Sequence, residues 1–292
     1  MNGVLIIDKP RGPTSFEVVR RVRQLLKVDK VGHTGTLDPM ATGVLPLCLG
    51  DATRVAGFIT EGDKAYEATV RFGAETDTLD AEGKVVRTAP VPALDAAMLE
   101  AALARFRGTI LQTPPMYSAV KVGGKRLYEL ARAGEEVERK PREVTLHELV
   151  LCDFGADVVR LSVRASKGFF VRSLAQELGR ALGTVAHLQA LRRTASGPFG
   201  LDRALPLEKL TVEEARAHLL PISSALSQVP ALEVSAKDAA RVRHGVPLEV
   251  PSSVTPGGPM RVMGPDGEVL AIAEVGPNRR LKYLRVLSQG TP

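Results

Sequence analysis

The chain has 292 residues, of which 44% are hydrophobic and 25% charged, and carries a formal net charge of +6. That length predicts one large domain plus a smaller one, the composition excludes a disordered chain, and no run approaches the ~20 apolar residues of a membrane helix. The cationic balance favours a polyanionic partner such as nucleic acid, while the absence of Trp and an aromatic content of 4% leave only one or two rings to hold any flipped base.

An apolar run over residues 4–7 reads as a buried strand and leads into a Pro- and Gly-rich turn, DKPRGPTS. Thr14 and Glu17 have capping-box spacing, so a helix starts near Ser15. Val18, Val22, Leu25 and Leu26 share its apolar face, and Arg20, Arg21, Arg23, Lys27 and Lys30 decorate the remainder. Those cations form either a solvated face or contacts to RNA phosphates. Residues 31–54, VGHTGTLDPMATGVLPLCLGDATR, hold four glycines, four threonines, one histidine and two aspartates. Their first half has no helix or strand period and reads as a shaped loop. Pro39 pushes Asp38 towards an extended backbone. A carboxylate there either faces a ligand or closes a turn, and the residues alone leave both open. No Walker or GxGxxG spacing marks the loop as a phosphate cradle.

Residues 64–73 alternate, with Tyr66, Ala68, Val70 and Phe72 on one face, as in a half-buried strand. On this pattern Tyr66 is simplest as a core aromatic. Asp95 caps a helix that runs to about Arg107 and ends at Gly108. QTPPMYSAVKVGGKRLYELARAG is a loop followed by a short helix ending at Gly134. Strands cover 144–154 and 158–166. SKGFFVRSLAQELGRALG then turns into a helix with Leu174, Leu178 and Leu182 four apart. Arg172 falls at its start, where a cation is mildly disfavoured by the macrodipole, and that misfit favours a buried anionic partner. Thr211 and Glu214 open a helix through Leu220, and PISSALSQVP reads as a linker. From about Ala231 the chain turns to short strands: 260–263 and 268–274 flank a PDG hairpin signal, and 283–287 close the fold.

Cys48 and Cys152 are read as buried small hydrophobes. Five scattered histidines show no ligand spacing, so no metal is expected. The N-terminus has no signal-peptide pattern, and the cytoplasm is the expected location.

GHTGTLDPMATGVLPLCLGDATR resembles the catalytic-aspartate motif of the TruB family, the tRNA pseudouridine-55 synthases. Further strings that look like the family's own follow in its order and span nearly the whole chain: KPRGPTS, DKAYEATVRFG with ETDTLDAEG, QTPPMYSAVKVGGKRLYELARAG, SKGFFVR and AHLQALRRTASGPF. The resemblance implies an α+β fold. Residues 1–225 would form a pseudouridine-synthase catalytic domain with a mixed, largely antiparallel sheet flanked by helices. Residues 231–292 would form a small β-rich, PUA-like RNA-binding domain. The same resemblance implies Asp38 as the catalytic carboxylate, Arg172 as its partner and Tyr66 in the uracil pocket. It places His33 by the space the flipped base vacates and Leu191 on the apolar wall, with Lys167 and Phe170 in the substrate-binding set. Lys121, Lys125 and Arg126 are candidate phosphate contacts, and Arg192 and Arg193 are structural or RNA contacts. One departure stands out: the family usually reads SKGTYIR, so Phe170 replaces a tyrosine. Its ring can stack but cannot donate a hydrogen bond, which leaves proton transfer to Tyr66, water or Asp38.

Converting uridine to pseudouridine breaks a glycosidic C–N bond and forms a C–C bond to the same base. No redox change or hydrolysis occurs, so no cofactor is expected. A carboxylate such as Asp38 can act as nucleophile, a neighbouring arginine favours its ionised form, and the target base must leave its stack. The expectation is an isomerase acting on uridine 55 of the tRNA T stem-loop, working as a monomer without a membrane or an obligatory protein partner. Two alternatives differ in class. One is a dyskerin-type synthase of a guide-RNA complex, whose chains lack QTPPMYSAVK…YELARAG. The other is a tRNA-binding or folding factor whose main role is not catalysis.

Overall fold

The computed structural model describes residues 1–255, 257–276 and 278–287. Strand β1 (Gly3–Lys9) sends Leu5 and Ile7 to one face of a sheet and Val4 and Ile6 to the other, all four at 0% exposure. Both faces are covered, which is why the run is apolar throughout. Helix α1 (Ser15–Leu26) opens on the expected capping box. The Glu17 N–H donates to Thr14 Oγ1 at 3.1 Å, and the Thr14 N–H donates to the Glu17 carboxylate at 2.8 Å. Its buried stripe centres on Val18, Val19 and Val22; Leu25, expected with them, lies at the stripe's edge and is exposed.

β2 (Val31–His33) and β3 (Thr42–Leu49) bracket the loop of residues 34–41. β4 (Lys64–Phe72) buries Ala68, Val70 and Phe72 as its alternation required. Asp95 caps α2 (Ala96–Ala104) by accepting from the Met98 N–H at 2.8 Å, although the helix stops short of Arg107. β5 (Gly108–Gln112), α3 (Leu127–Arg132), β6 (Arg142–Phe154), β7 (Val158–Ala165), α4 (Val171–Ala181) and β8 (Ala186–Ser196) follow. The large sheet runs Leu205–Pro206, β1, β3, β8, β4, β7, β6, β5. Its pairings are antiparallel except β1 with Leu205–Pro206 and β8 with β3. The sheet is thus mixed and largely antiparallel. The β8–β3 seam pairs only Arg192 with Thr42 and Arg193 with Gly43. Gly43 has φ +99°, and a Cβ there would lie 2.2 Å from the Arg193 carbonyl oxygen, so only glycine fits the seam.

Helices α1, α2 and α4 cover one face over a core that includes Leu5, Leu45, Val70 and Leu161. The other face is closed by the C-terminal region. There β9 (Ala231–Glu233), β10 (Met260–Met263), β11 (Val269–Val275) and β12 (Leu281–Val286) form a sheet in chain order. Val269, Ile272 and Leu287 share one apolar cluster with Val4, Ile6, Val44 and Phe199. Arg54 Nη1 also donates to the Val286 carbonyl at 3.1 Å.

Three expectations change. The segment read as a linker contains a short helix, α5 (Ile222–Ala225), and wedges Ala225 and Leu226, both fully buried, into the cluster shared by the two sheets. A second helix, α6 (Ala236–Arg243), interrupts the strands after Ser235, whose Oγ accepts from the Asp238 N–H at 3.2 Å. Cys48 is buried, and burial pushes its thiol up to about 12. Cys152 is exposed, because it lies on the open end of β6 near the sheet edge.

Candidate active site

Asp38 sits in the loop between β2 and β3, and three elements fix that loop's backbone. Ser15, the first residue of α1, donates from Oγ to the Leu37 carbonyl at 2.9 Å and accepts from the Leu37 N–H at 2.8 Å. Lys9, at the end of β1, donates to the Pro39 carbonyl at 3.1 Å, and the Gly12 N–H donates to the same oxygen at 2.9 Å. Arg193 of β8 is 2% exposed and donates to the carbonyls of Val44 at 2.7 Å and Gly35 at 3.0 Å. Buried, satisfied donors of this kind hold a loop in one conformation.

Arg172 enters from the first turn of α4. Its Nε lies 3.1 Å from Asp38 Oδ2 and its Nη1 3.5 Å from Asp80 Oδ2. The same guanidinium donates to the carbonyls of Thr78 at 3.1 Å and Tyr117 at 2.7 Å. Two carboxylates and two carbonyls therefore occupy its fork, an arrangement that a lysine's point charge does not reproduce. Asp80 is itself pinned by Thr78 Oγ1 at 2.7 Å and the Glu82 N–H at 3.1 Å. The start of α4 is held by Gln112, which accepts from the Phe170 N–H at 2.8 Å and donates to the Phe170 carbonyl at 3.0 Å.

A cleft of about 330 Å³ lies against this pair. Asp38, Tyr66, Lys167, Phe170, Arg172 and Leu191 line it, together with Lys64, Ser118 and Arg193. Six of the seven candidates from the sequence thus meet at one cavity. His33 is not among the lining residues; it ends β2 opposite Leu47, and its buried Nδ1 has no hydrogen-bond partner among the described residues. The Ser118 hydroxyl is likewise buried and unpartnered among them.

Burial raises the Asp38 carboxyl above the usual carboxylate range, Arg172 pulls it down, and Asp80 adds to the rise. The Asp38 side chain keeps 33% of its surface accessible, so it is enclosed yet open to the cleft. Burial also raises the Tyr66 hydroxyl, which therefore remains a phenol at neutral pH although the nearby Arg193 charge opposes the rise. Burial, then Arg193 and Arg126, lowers His33 and favours a neutral imidazole. Lys64 donates to the Thr60 and Gly62 carbonyls at 2.6 and 2.5 Å, and burial brings it down to about 8. Lys167 pairs with Glu61, and both are more than half exposed, so the pair adds little stability. A carboxylate held beside a buried guanidinium, faced by a tyrosine and apolar walls, can attack or stabilise an electron-poor carbon of a planar ligand.

Sequence patterns missed three residues of this machinery. Asp80 sits in an irregular turn with no period to announce it. Gln112 and Lys9 end ordinary strands; only a lysine closing an otherwise apolar run hinted at a special site. Arg193, read as a structural or RNA contact, is structural here and among the most buried side chains of the described residues.

Known proteins resemble the chain in fold and over nearly its whole sequence. A chain in the crystal structure of a Cbf5–Nop10–Gar1 complex superposes with a TM-score of 0.76 at 27% identity, covering 97% of this chain and 84% of that one. The archaeal box H/ACA Nop10–Cbf5 complex gives 0.75 at 25%, over 98% and 86%. The model of the TruB family pseudouridylate synthase N-terminal domain matches residues 23–171. Two C-terminal models, described as tRNA pseudouridylate synthase B C-terminal domain and tRNA pseudouridine synthase II, C terminal, match 172–227 and 229–288. The class these matches define is that of the pseudouridine synthases, isomerases of RNA uridine. A protein of Symbiobacterium thermophilum named tRNA pseudouridine synthase B is 53% identical, covering 84% of this chain and 83% of its own. A namesake from Aromatoleum aromaticum is 47% identical over 99% and 93%, respectively. The chain belongs to the TruB family of pseudouridylate synthases.

Proposed function

We propose that this enzyme isomerises uridine to pseudouridine at position 55 of the tRNA T loop, with Asp38 as the catalytic carboxylate. The observation that carries the reading is the Asp38–Arg172 pair, 3.1 Å apart, facing a cleft wide enough for one base. The tRNA substrate is taken from the relatives named tRNA pseudouridine synthase B.

In the reaction the C1′–N1 bond breaks, a C1′–C5 bond forms, the C5 proton leaves, and a proton arrives at N1. Asp38 acts at the sugar or the base while Arg172 supports its ionised form. Tyr66 and Phe170 stack on the uracil, and Leu191 closes the apolar wall. Lys167 holds the neighbouring phosphate at the mouth. His33, neutral, stands by the space that the flipped base leaves. With Phe170 in place of a tyrosine, the C5 proton goes to water or to Asp38, or is relayed by Tyr66, which takes it only as its own hydroxyl proton passes to N1. The chemistry requires no cofactor.

Residues 1–225 form the catalytic unit in this proposal, and 231–292 a PUA-like RNA-binding unit. The enzyme works as a cytoplasmic monomer. Among the described residues no helix is long and apolar enough to cross a membrane.

The test is tritium release from unmodified tRNA labelled at uracil C5, with the product mapped at nucleotide resolution. Wild type should release tritium and leave pseudouridine at position 55 alone. Asp38→Asn should fold and bind tRNA but release none. A folded wild type that binds tRNA without release would overturn the proposal.

A further inference from the structure

The outer face of α1 carries an exposed aromatic and a line of cations. At 100° per residue, Phe16, Arg20 and Arg23 fall within about 60° of one another around the helix, and Lys27 continues the line at the C-cap. The stripe is about 16 Å long at 1.5 Å per residue. Phe16 is 71% exposed; the next most exposed phenylalanine is Phe154 at 40%. Among the described residues, the side chains of Arg20, Arg23 and Lys27 make no salt bridge or hydrogen bond. The one acidic residue of the helix, Glu17, is engaged by Thr14 and also feels the charge of Arg20 three residues on.

Ordinary helix chemistry explains part of this face. Cations in the last turn suit the macrodipole, which accounts for Arg23 and Lys27. Arg20 suits Glu17 three residues before it, but nothing in helix chemistry accounts for a phenyl ring left in water in the first turn. The stripe's position supplies the reason. Ser15, next to Phe16, is bonded to both backbone groups of Leu37, and Leu37 adjoins Asp38. The aromatic end of the stripe therefore begins one residue from a side chain that braces the Asp38 loop, and the cations lead along the helix away from it.

We propose that the strand flanking the target nucleotide leaves the cleft along α1. Phe16 stacks on a base or sugar adjoining the flipped uridine, and Arg20, Arg23 and Lys27 bind consecutive phosphates of the RNA backbone. Stacking plus phosphate binding is how proteins hold unpaired RNA without reading its sequence. The inference rests on the RNA-modifying reading above and adds where the substrate runs beyond the reacting base.

The experiment measures tRNA binding by fluorescence anisotropy across a salt series, in the Asp38→Asn background so that no turnover intervenes. The Arg20→Gln, Arg23→Gln, Lys27→Gln triple variant should flatten the slope of log Kd against log salt by roughly 2–3, at about 0.7–0.9 for each phosphate that is no longer neutralised. A control triple, Lys84→Gln, Lys140→Gln and Lys209→Gln, removes the same charge elsewhere and should leave the slope near that of the parent. Phe16→Ala should weaken binding about tenfold with the slope kept, and Phe16→Tyr should restore it. An unchanged slope in the α1 triple, or an equal fall in the control, overturns the phosphate-binding role of α1. Unchanged binding by Phe16→Ala overturns the stacking. Tritium release by wild type in the same tRNA reports separately on the catalytic reading, so the two fail independently.

Discussion

Charge and burial meet most sharply at Arg172. It is 6% exposed, and its guanidinium carries the two carboxylates of Asp38 and Asp80. Removing it as Arg172→Met leaves Asp80 buried without its cation, a change expected to cost about 3–5 kcal/mol and to lower Tm markedly in a thermal melt. Arg172→Lys keeps the charge but loses the fork. Arg172 lowers the Asp38 pKa against the rise caused by burial. Weakening it lets that pKa climb, so the ionised form is lost at higher pH. The acid limb of kcat/KM should move to higher pH in Arg172→Lys, and a pH–rate profile checks this. Phe170 should be permissive: Gln112 grips its backbone rather than its ring, and the ring borders an open cleft. Phe170→Tyr is expected to keep kcat/KM within about threefold in the tritium assay. Asp38 stood out in the sequence because its loop resembles a family motif. Asp80 did not, because its role appears only when a turn lands on an arginine far along the chain.

At the scale of elements, the C-terminal sheet bears on the catalytic sheet in a way composition concealed. Val269, Ile272 and Leu287 cover Val4, Ile6, Val44 and Phe199. Each large apolar side chain so covered contributes roughly 1.5–3 kcal/mol relative to exposure. Deleting residues from Ala231 onward strips that cover and should yield a fragment that aggregates or melts well below the full chain, whatever the deleted region adds to RNA affinity. A monomeric fragment with the parent's Tm in calorimetry would show that the cover is dispensable. The hidden tie was the 221–230 segment. Its proline and serines signal a linker, yet Ala225 and Leu226 are fully buried. Helix caps upstream, by contrast, were legible, since Thr14 with Glu17 and Thr211 with Glu214 act over three residues, whereas the Ser235 cap of α6 was not read.

Across the whole molecule, two lysines share an unusual condition. Burial lowers Lys9 and Lys64 from 10.5 to about 8, and neither forms a direct salt bridge among the described residues. The unfolded chain binds more protons than the folded one between pH 8 and 10.5, so stability rises with pH across that window. Each lysine contributes at most about 3 kcal/mol of this rise, from the 1.36 kcal/mol equivalent of one pKa unit. Denaturant midpoints measured through the window should increase, and Lys9→Met should flatten the increase. A midpoint independent of pH in the parent would contradict the burial of both cations.

What the sequence by itself determined is local and periodic. Strand alternation, capping boxes and the family strings mark most of the strands, helices and loops, because each acts over a few neighbouring residues. It also named six residues that meet at the cleft, through motifs that travel together in the family. The tertiary structure alone decided which charges face one another. Arg172 between two aspartates, Arg193 buried under the loop it braces, and the C-terminal sheet closing the catalytic one all join residues far apart in the chain. Their burial and partners arise only when the β3–β8 seam brings those distant segments within hydrogen-bond reach, a distance that no local pattern encodes.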